Sequence, residues 1–365
     1  MATKQNTNAS STHAVHGNPH PSSSRQPSRP IGCPPDSYPW YDDRVTELRG
    51  GGSDPFFHDR AHHPDDDPTL QYDTPKTIYS YLNGLVWKQE DAKKAASVIM
   101  YHCLRGIKSN TLFIGPTGCG KTHIWRCLRQ IFPNRIEIVD GSDITQEGWK
   151  GEKKWKDLLQ FPAALSGGHA ILVIDEADKM LAPKYANHEN VSRSIQSEAL
   201  TMLEGACVTV KSGSIVHEVD TSNISFVLCG AFSQKALDTA SQSSRHIGFG
   251  PGQGGAVQPY EKPLSEQDLI DFGVMPEFLG RIQRIVSLQP MTADDYYRMT
   301  DNSFVMLQRI RQQYGVDIRL TPEKRRELAE AACAAGLGVR GMENKIRQFM
   351  DNAIFEDCGR LYYEF

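Results

Sequence analysis

The chain is 365 residues long, with 44 Asp and Glu against 40 Lys and Arg and a formal net charge of −4. This length accommodates two domains and a sizeable core, and the dispersed, slightly acidic charge lacks the basic footprint of a nucleic-acid binder. Eight cysteines without a C-x-x-C pair give no support to a zinc site of the usual spacing, and no apolar run approaches the ~18 residues of a membrane span.

Residues 1–70 are rich in Ser, His, Pro, Asn, Gly and Asp with little periodic apolar pattern, which predicts a disordered or low-complexity segment. The first 30 residues are Ser-rich and acid-poor but carry no signal-peptide core. The expectation is a cytoplasmic protein, with an organelle matrix as the alternative. Order begins at Thr74-Pro75, a helix N-cap followed by proline at the first helical position. From 71 to about 290, strand-like runs at 111–114, 136–140, 170–175 and 224–230 alternate with helical stretches such as 192–204. That alternation predicts an α/β domain with a parallel sheet between helices. Cys207 to Val219 alternates around Lys-Ser-Gly-Ser and predicts a hairpin insertion, and 241–263 reads as a Gly/Ser/Gln-rich surface loop. Residues 291–365 are mainly helical (292–314, 322–335 and 339–357) with one short strand, Val316 to Leu320, which predicts a smaller α-rich C-terminal domain. The chain stops soon after the last helix, so no closing strand is expected there.

Chemistry enters at Gly115, Pro116, Thr117, Gly118, Cys119, Gly120, Lys121 and Thr122, which fit G-x-x-x-x-G-K-[ST] between a strand-like and a helix-like segment. In that context glycines let backbone N–H groups turn inward towards phosphates, and a helix N-terminus adds partial positive charge. Lys121 adds a full charge and the Thr122 hydroxyl a ligand for Mg²⁺. A glycine-rich turn that happens to end in Lys-Thr is the competing interpretation. The segment predicts binding of a nucleoside triphosphate, ATP or GTP.

Ala170 to Glu176 is a continuous apolar run ending in two carboxylates, as in a buried parallel strand. Ligands of open α/β sheets sit at the carboxyl ends of strands, which would bring Asp175 to the metal shell and Glu176 to an attacking water as general base. Alone, the segment also fits a strand running into an acidic helix start. Together with the phosphate loop it predicts hydrolysis rather than binding alone.

An α/β ATPase core with a small helical domain is the AAA+ plan, and several segments narrow it. These are Gln89 to Lys94 after Thr74-Pro75, Lys108 to Gly118, Val173 to Lys179, Leu203-Glu-Gly205, Val219-Asp-Thr-Ser222 and Met275-Pro-Glu-Phe-Leu-Gly-Arg281. Over roughly residues 74–355 the chain resembles the ClpX family of hexameric unfoldases, which feed the ClpP peptidase. The resemblance implies a P-loop AAA+ core using ATP and Mg²⁺, in a homo-hexamer acting on unfolded or tagged proteins, with no nucleic acid and no membrane. It makes Arg281 the arginine that reaches into the neighbouring subunit's nucleotide, and Arg340, in Gly338-Val-Arg-Gly-Met, the sensor arginine of the small domain. On residue type alone Arg281 also fits an ion-paired surface arginine, and Arg340 a helix start beside a glycine hinge. Val86-Trp-Lys-Gln89 matches the family's adenine-side segment loosely.

Two loops would do the mechanical work. Gly148-Trp149-Lys150-Gly151 resembles the family's pore loop, with Trp149 as the gripping aromatic and Lys150 where an aliphatic is usual. Ile247, Gly248 and Phe249 match the I-G-F tip with which the family docks on its peptidase. The alternatives are a tryptophan covering core and a tip that folds back on its own domain. The family's N-terminal zinc domain uses two C-x-x-C pairs, whereas only Cys33 stands in that region here, so its absence is expected. A basic loop of the family is replaced by Lys-Ser-Gly-Ser, and His188-Glu189-Asn190 stands near an altered second pore loop. The leading expectation is an ATP-dependent unfoldase and translocase that serves a peptidase without being one. The alternatives are a remodelling ATPase with no peptidase and a scaffold that binds nucleotide without productive translocation.

Overall fold

The computed structural model describes residues 72–145, 153–163, 169–186, 189–212, 215–233, 235–236, 238, 260, 262–301, 304–336 and 338–365, all within the unit Arg60–Phe365. Its strands are β1 (Thr111–Ile114), β2 (Ile136–Asp140), β3 (Ala170–Asp175), β4 (Tyr185–Ala186), β5 (Glu189–Asn190), β6 (Cys207–Ser212), β7 (Ile215–Asp220), β8 (Ile224–Gly230), β9 (Arg284–Ser287), β10 (Asp317–Arg319) and β11 (Tyr362–Glu364). Five of them form one parallel sheet in the order β2-β3-β8-β1-β9.

β1 and β8 are buried at every residue, and β3 at every residue but its terminal Asp175. Successive side chains of a strand point to opposite faces, and both faces here are covered. Leu112, Ile114, Leu172, Ile174, Phe226 and Leu228 enter one cluster with the helix Val191–Glu204 and the β6–β7 hairpin. Phe113, Ile171, Val173, Val227 and Cys229 enter the other, under the helices Pro75–Leu85, Glu90–Leu104 and Lys121–Ile131. Trp125, fully buried, meets Phe113 edge to face with ring centroids 5.5 Å apart.

The first described helix begins as the sequence predicts: Thr74 caps it reciprocally with Thr77, and Pro75 opens it. The antiparallel β6–β7 pair realises the expected hairpin. Three features differ from expectation. β9, with the buried pattern of an edge strand rather than a central one, adds a fifth strand beside β1. The 292–314 stretch is two helices, Ala293–Met299 and Val305–Tyr314. A closing strand does exist, since β11 pairs with β10 in parallel register, Ile318 opposite Tyr363.

The C-terminal residues build a third cluster around Tyr296, Leu307, Ile310, Ile318, Leu328, Met342, Ile346, Met350 and Tyr363, with the helices Pro322–Ala335 and Gly338–Glu356 against it. Among the described residues no helix is long and apolar enough to cross a membrane.

Candidate nucleotide site

The phosphate loop joins β1 to the helix Lys121–Ile131, and its conformation needs glycine. Gly118 and Gly120 have φ of +77° and +102°, a region in which an L-residue costs roughly 1–2 kcal/mol. Gly115 is needed for space, because a Cβ there would lie 2.8 Å from Leu288 Cβ and 3.0 Å from Cys119 Sγ. Lys121 opens the helix, is 9% exposed, and donates from Nζ to Gly115 O at 2.6 Å and Pro116 O at 2.9 Å. Those neutral carbonyls hold the ammonium at the loop, where anionic phosphate oxygens would be stronger acceptors.

β8 lies between β1 and β3, so Gly115 and Asp175 emerge at the same carboxyl end of the parallel strands, two strand spacings or roughly 10 Å apart. Cys229 lies between them. Burial pushes its thiol pKa up, the Asp175 carboxylate adds to the rise, and the Lys121 ammonium opposes it. Asp175 Oδ1 accepts from Glu176 N at 3.1 Å. Glu176 adopts φ 52°, ψ 33° at the start of the helix Ala177–Leu181 and pairs with Lys179. A non-glycine residue in this region stores strain of about 1 kcal/mol, a cost that clusters at functional positions. A Cβ on Gly141 would lie 2.8 Å from Asp175 O, so the turn after β2 presses directly on this strand end.

Gly338 carries the C-terminal cluster onto the phosphate loop. It has φ +66°, and a Cβ there would stand 2.5 Å from Gly118 Cα and 3.1 Å from Gly118 C and O. The two backbones therefore touch. Arg340, two residues on in the first turn of the same helix, is exposed.

Arg281 follows the short helix Pro276–Leu279. Its guanidinium is paired with Glu204 and its Nη1 donates to Glu277 O at 2.8 Å. Within one chain it is thus the ion-paired arginine of the competing interpretation. Asn110, fully buried, fixes the backbone around it by donating to Arg281 O at 3.1 Å and Leu203 O at 2.9 Å while accepting from Phe226 N at 3.2 Å.

A polar joint that sequence reasoning missed connects the sheet to the C-terminal cluster. Gln89, 4% exposed, accepts from Gln289 N at 2.9 Å and donates to Gln289 O at 2.8 Å. Asp295 accepts from Trp87 Nε1 at 3.1 Å, Lys88 Nζ at 2.9 Å, Thr292 N at 2.9 Å and the Thr292 hydroxyl at 2.8 Å. Burial would raise the Asp295 pKa, but the bonds from Lys88, Thr292 and Trp87 outweigh it and hold it at about 2. Thr292-x-x-Asp295 is a capping-box pattern, the one signal that could have singled out Asp295. Lys88 and Gln89 both have positive φ, 56° and 62°, without being glycine.

Trp149 with the rest of 148–151, the Ile247, Gly248 and Phe249 tip, and His188 lie outside the described residues.

A family model described as AAA domain (Cdc48 subfamily) matches residues 107–285, from ahead of the phosphate loop to past Arg281. The ATP-dependent Clp protease ATP-binding subunit ClpX of Treponema denticola is 28% identical, covering 78% of this chain and 77% of that protein. The ATP-dependent Clp protease ATP-binding subunit ClpX 2 of Wolinella succinogenes is 27% identical, covering 77% of each. By these likenesses the chain is a ClpX-like AAA+ ATPase, not itself a protease.

Proposed function

We propose that this ATPase is a protein unfoldase and translocase, working as a homo-hexamer that passes unfolded or tagged proteins to a ClpP-type peptidase. The observation that carries the reading is the backbone contact of Gly338 with Gly118. A helix of the C-terminal part that rests on the phosphate loop cannot ignore what the loop binds, and such coupling turns hydrolysis into movement of one part against the other. The Clp subunits similar to this chain supply the kind of work, and the strand-end chemistry supplies the fuel.

In this reading the loop Gly115 to Gly120 cradles the phosphates, with backbone N–H groups from the residues after Pro116, and Lys121 neutralises the charge on them. Thr122 and Asp175 present hard oxygen donors to Mg²⁺. Two such donors would fit an ion that is ordinarily held by one or two protein oxygens together with substrate phosphates. Mg²⁺ supplies charge neutralisation at the transferred phosphoryl group. Glu176 takes a proton from the attacking water, Arg281 of one subunit reaches the next subunit's γ-phosphate, and Arg340 senses it from the small domain. The proposed division runs at about 290, with an N-terminal segment 1–70 ahead of the large domain. Trp149 would grip the chain in the axial pore, and Ile247, Gly248 and Phe249 would dock on the peptidase.

The test is ATP-dependent degradation of an unstructured fluorescent protein by this chain with a cognate ClpP, with Phe249→Ala in parallel. Degradation by the wild type but not the variant supports both the unfoldase and its docking tip. ATP hydrolysis without degradation by either refutes the peptidase link with this partner and favours a stand-alone remodeller.

A further inference from the structure

Arg281 is engaged within its own chain, yet incompletely. A guanidinium has five N–H donors in a rigid fork. Here Nη1 serves Glu277 O, Nη2 serves Glu204, and Nε is buried with no partner. A buried donor left unpaired forfeits the hydrogen bond it would make in water. This rotamer therefore does not satisfy the group best.

Glu204 is also oddly sited. It is the last residue of the helix Val191–Glu204, before the left-handed cap Gly205. An anion at a helix C-terminus is disfavoured by the macrodipole. Arg281 offsets that charge. The pair is solvent-accessible, with side chains 32% and 53% exposed, and such screened pairs contribute little. A phosphate presents the same fork with a charge-assisted, bidentate acceptor. The backbone, by contrast, is fixed, because the Asn110 amide ties Arg281 O to Leu203 O, the residue before Glu204. Side-chain rotation is the freedom left.

We infer that Glu204 is a positioning residue that stows Arg281 within its own subunit, and that the guanidinium leaves Glu204 for the γ-phosphate of the neighbouring subunit. The inference rests on the reading of Arg281 as a group acting in trans. Release loses a screened pair and relieves the buried Nε. While stowed, the arginine is withheld from the neighbour's nucleotide, and a pair worth about 1 kcal/mol would withhold it by about fivefold.

The experiment measures ATPase kcat and KM of the full chain, across protein concentration, for the wild type, Glu204→Gln, Arg281→Ala and the double variant. Unfolding midpoints are followed alongside. Glu204→Gln is expected to raise kcat severalfold with KM for ATP unchanged, Arg281→Ala to fall to background, and the double variant to match Arg281→Ala. An unchanged or lowered kcat in a folded Glu204→Gln, with Arg281→Ala inactive, overturns the stowing role alone. Wild-type turnover in Arg281→Ala overturns the in-trans reading and the inference with it.

Discussion

Two glycines only two residues apart allow the contact between the C-terminal helix and the phosphate loop to be isolated. Gly336 and Gly338 have nearly the same φ, +60° and +66°, but a Cβ on Gly336 meets nothing within 4 Å. Alanine at 336 therefore incurs only the left-handed backbone cost, about 1 kcal/mol, or roughly a 2–4 °C loss in Tm for a unit of this size. Alanine at 338 incurs the same cost and in addition drives its methyl to 2.5 Å from Gly118 Cα. Carbon atoms rest at about 3.5–4.0 Å, so one backbone must retreat by about 1 Å. Neither side has a flexible side chain to yield, which puts the extra cost at roughly 1–3 kcal/mol. The displacement falls on the loop that would hold the phosphates, where a 1 Å misplacement can cost on the order of 100-fold in rate. Thermal unfolding and steady-state ATPase of both variants make the assay. Gly336→Ala should be slightly destabilised with near-normal turnover, and Gly338→Ala more destabilised with kcat/KM for ATP reduced tenfold or more. Equal ATPase in the two variants would refute a functional contact between Gly338 and Gly118.

Glu176→Gln should bind ATP with wild-type affinity but turn over at background, and near-normal hydrolysis would remove Glu176 as general base. Trp149→Ala should keep its ATPase while losing unfolding of a folded fluorescent substrate, and unchanged unfolding would take Trp149 out of the pore. Asp295→Asn probes the joint. A carboxylate held at about 2 instead of 3.8 stabilises above its unfolded pKa and loses that contribution as pH falls from about 5 towards 2. The shift corresponds to roughly 2 kcal/mol, reduced to about 1 by the solvent around the one-third-exposed Lys88. The urea-unfolding gap between wild type and Asp295→Asn should thus narrow over that pH range, and a pH-independent gap would contradict the assignment. Asn110→Ala, which strands Arg281 O and Leu203 O and unpairs Phe226 N, should cost roughly 3 kcal/mol by the same unfolding measurement.

What could be read from the sequence was whatever repeats a local physical rule. The three central strands announced themselves because burial on both faces leaves few polar positions, and the phosphate loop because glycines and a lysine must stand at fixed offsets. β9 was hidden because an edge strand with Arg284 exposed has only Ile285 and Val286 to mark it. β11 was hidden because three residues, of which only Tyr363 is buried, form no period. The joint was illegible for another reason. Asp295 is some 200 positions from Trp87 and Lys88, and nothing local at either end signals the other. The role of Gly338 was likewise invisible, since a glycine ahead of a helix usually serves its own backbone rather than another loop's.

The reciprocal bonding of Gln89 with residue 289 bears on how the molecule would move. A side-chain amide that both donates to the C=O and accepts from the N–H of one residue acts as a surrogate strand neighbour, and such a fit tolerates little angular drift. The surrounding contacts of Asp295 are equally directional. A joint held by area slides by degrees, whereas one held by oriented polar bonds tends to be either closed or open. With each bond worth about 0.5–1.5 kcal/mol and those to a charged group about 1.5–3, the latch amounts to several kcal/mol. That is the order of the roughly 5.5 kcal/mol needed to carry a two-state balance from 1:99 to 99:1. The C-terminal part would then step rather than drift, and the size of each step would be fixed by this clasp as much as by the nucleotide.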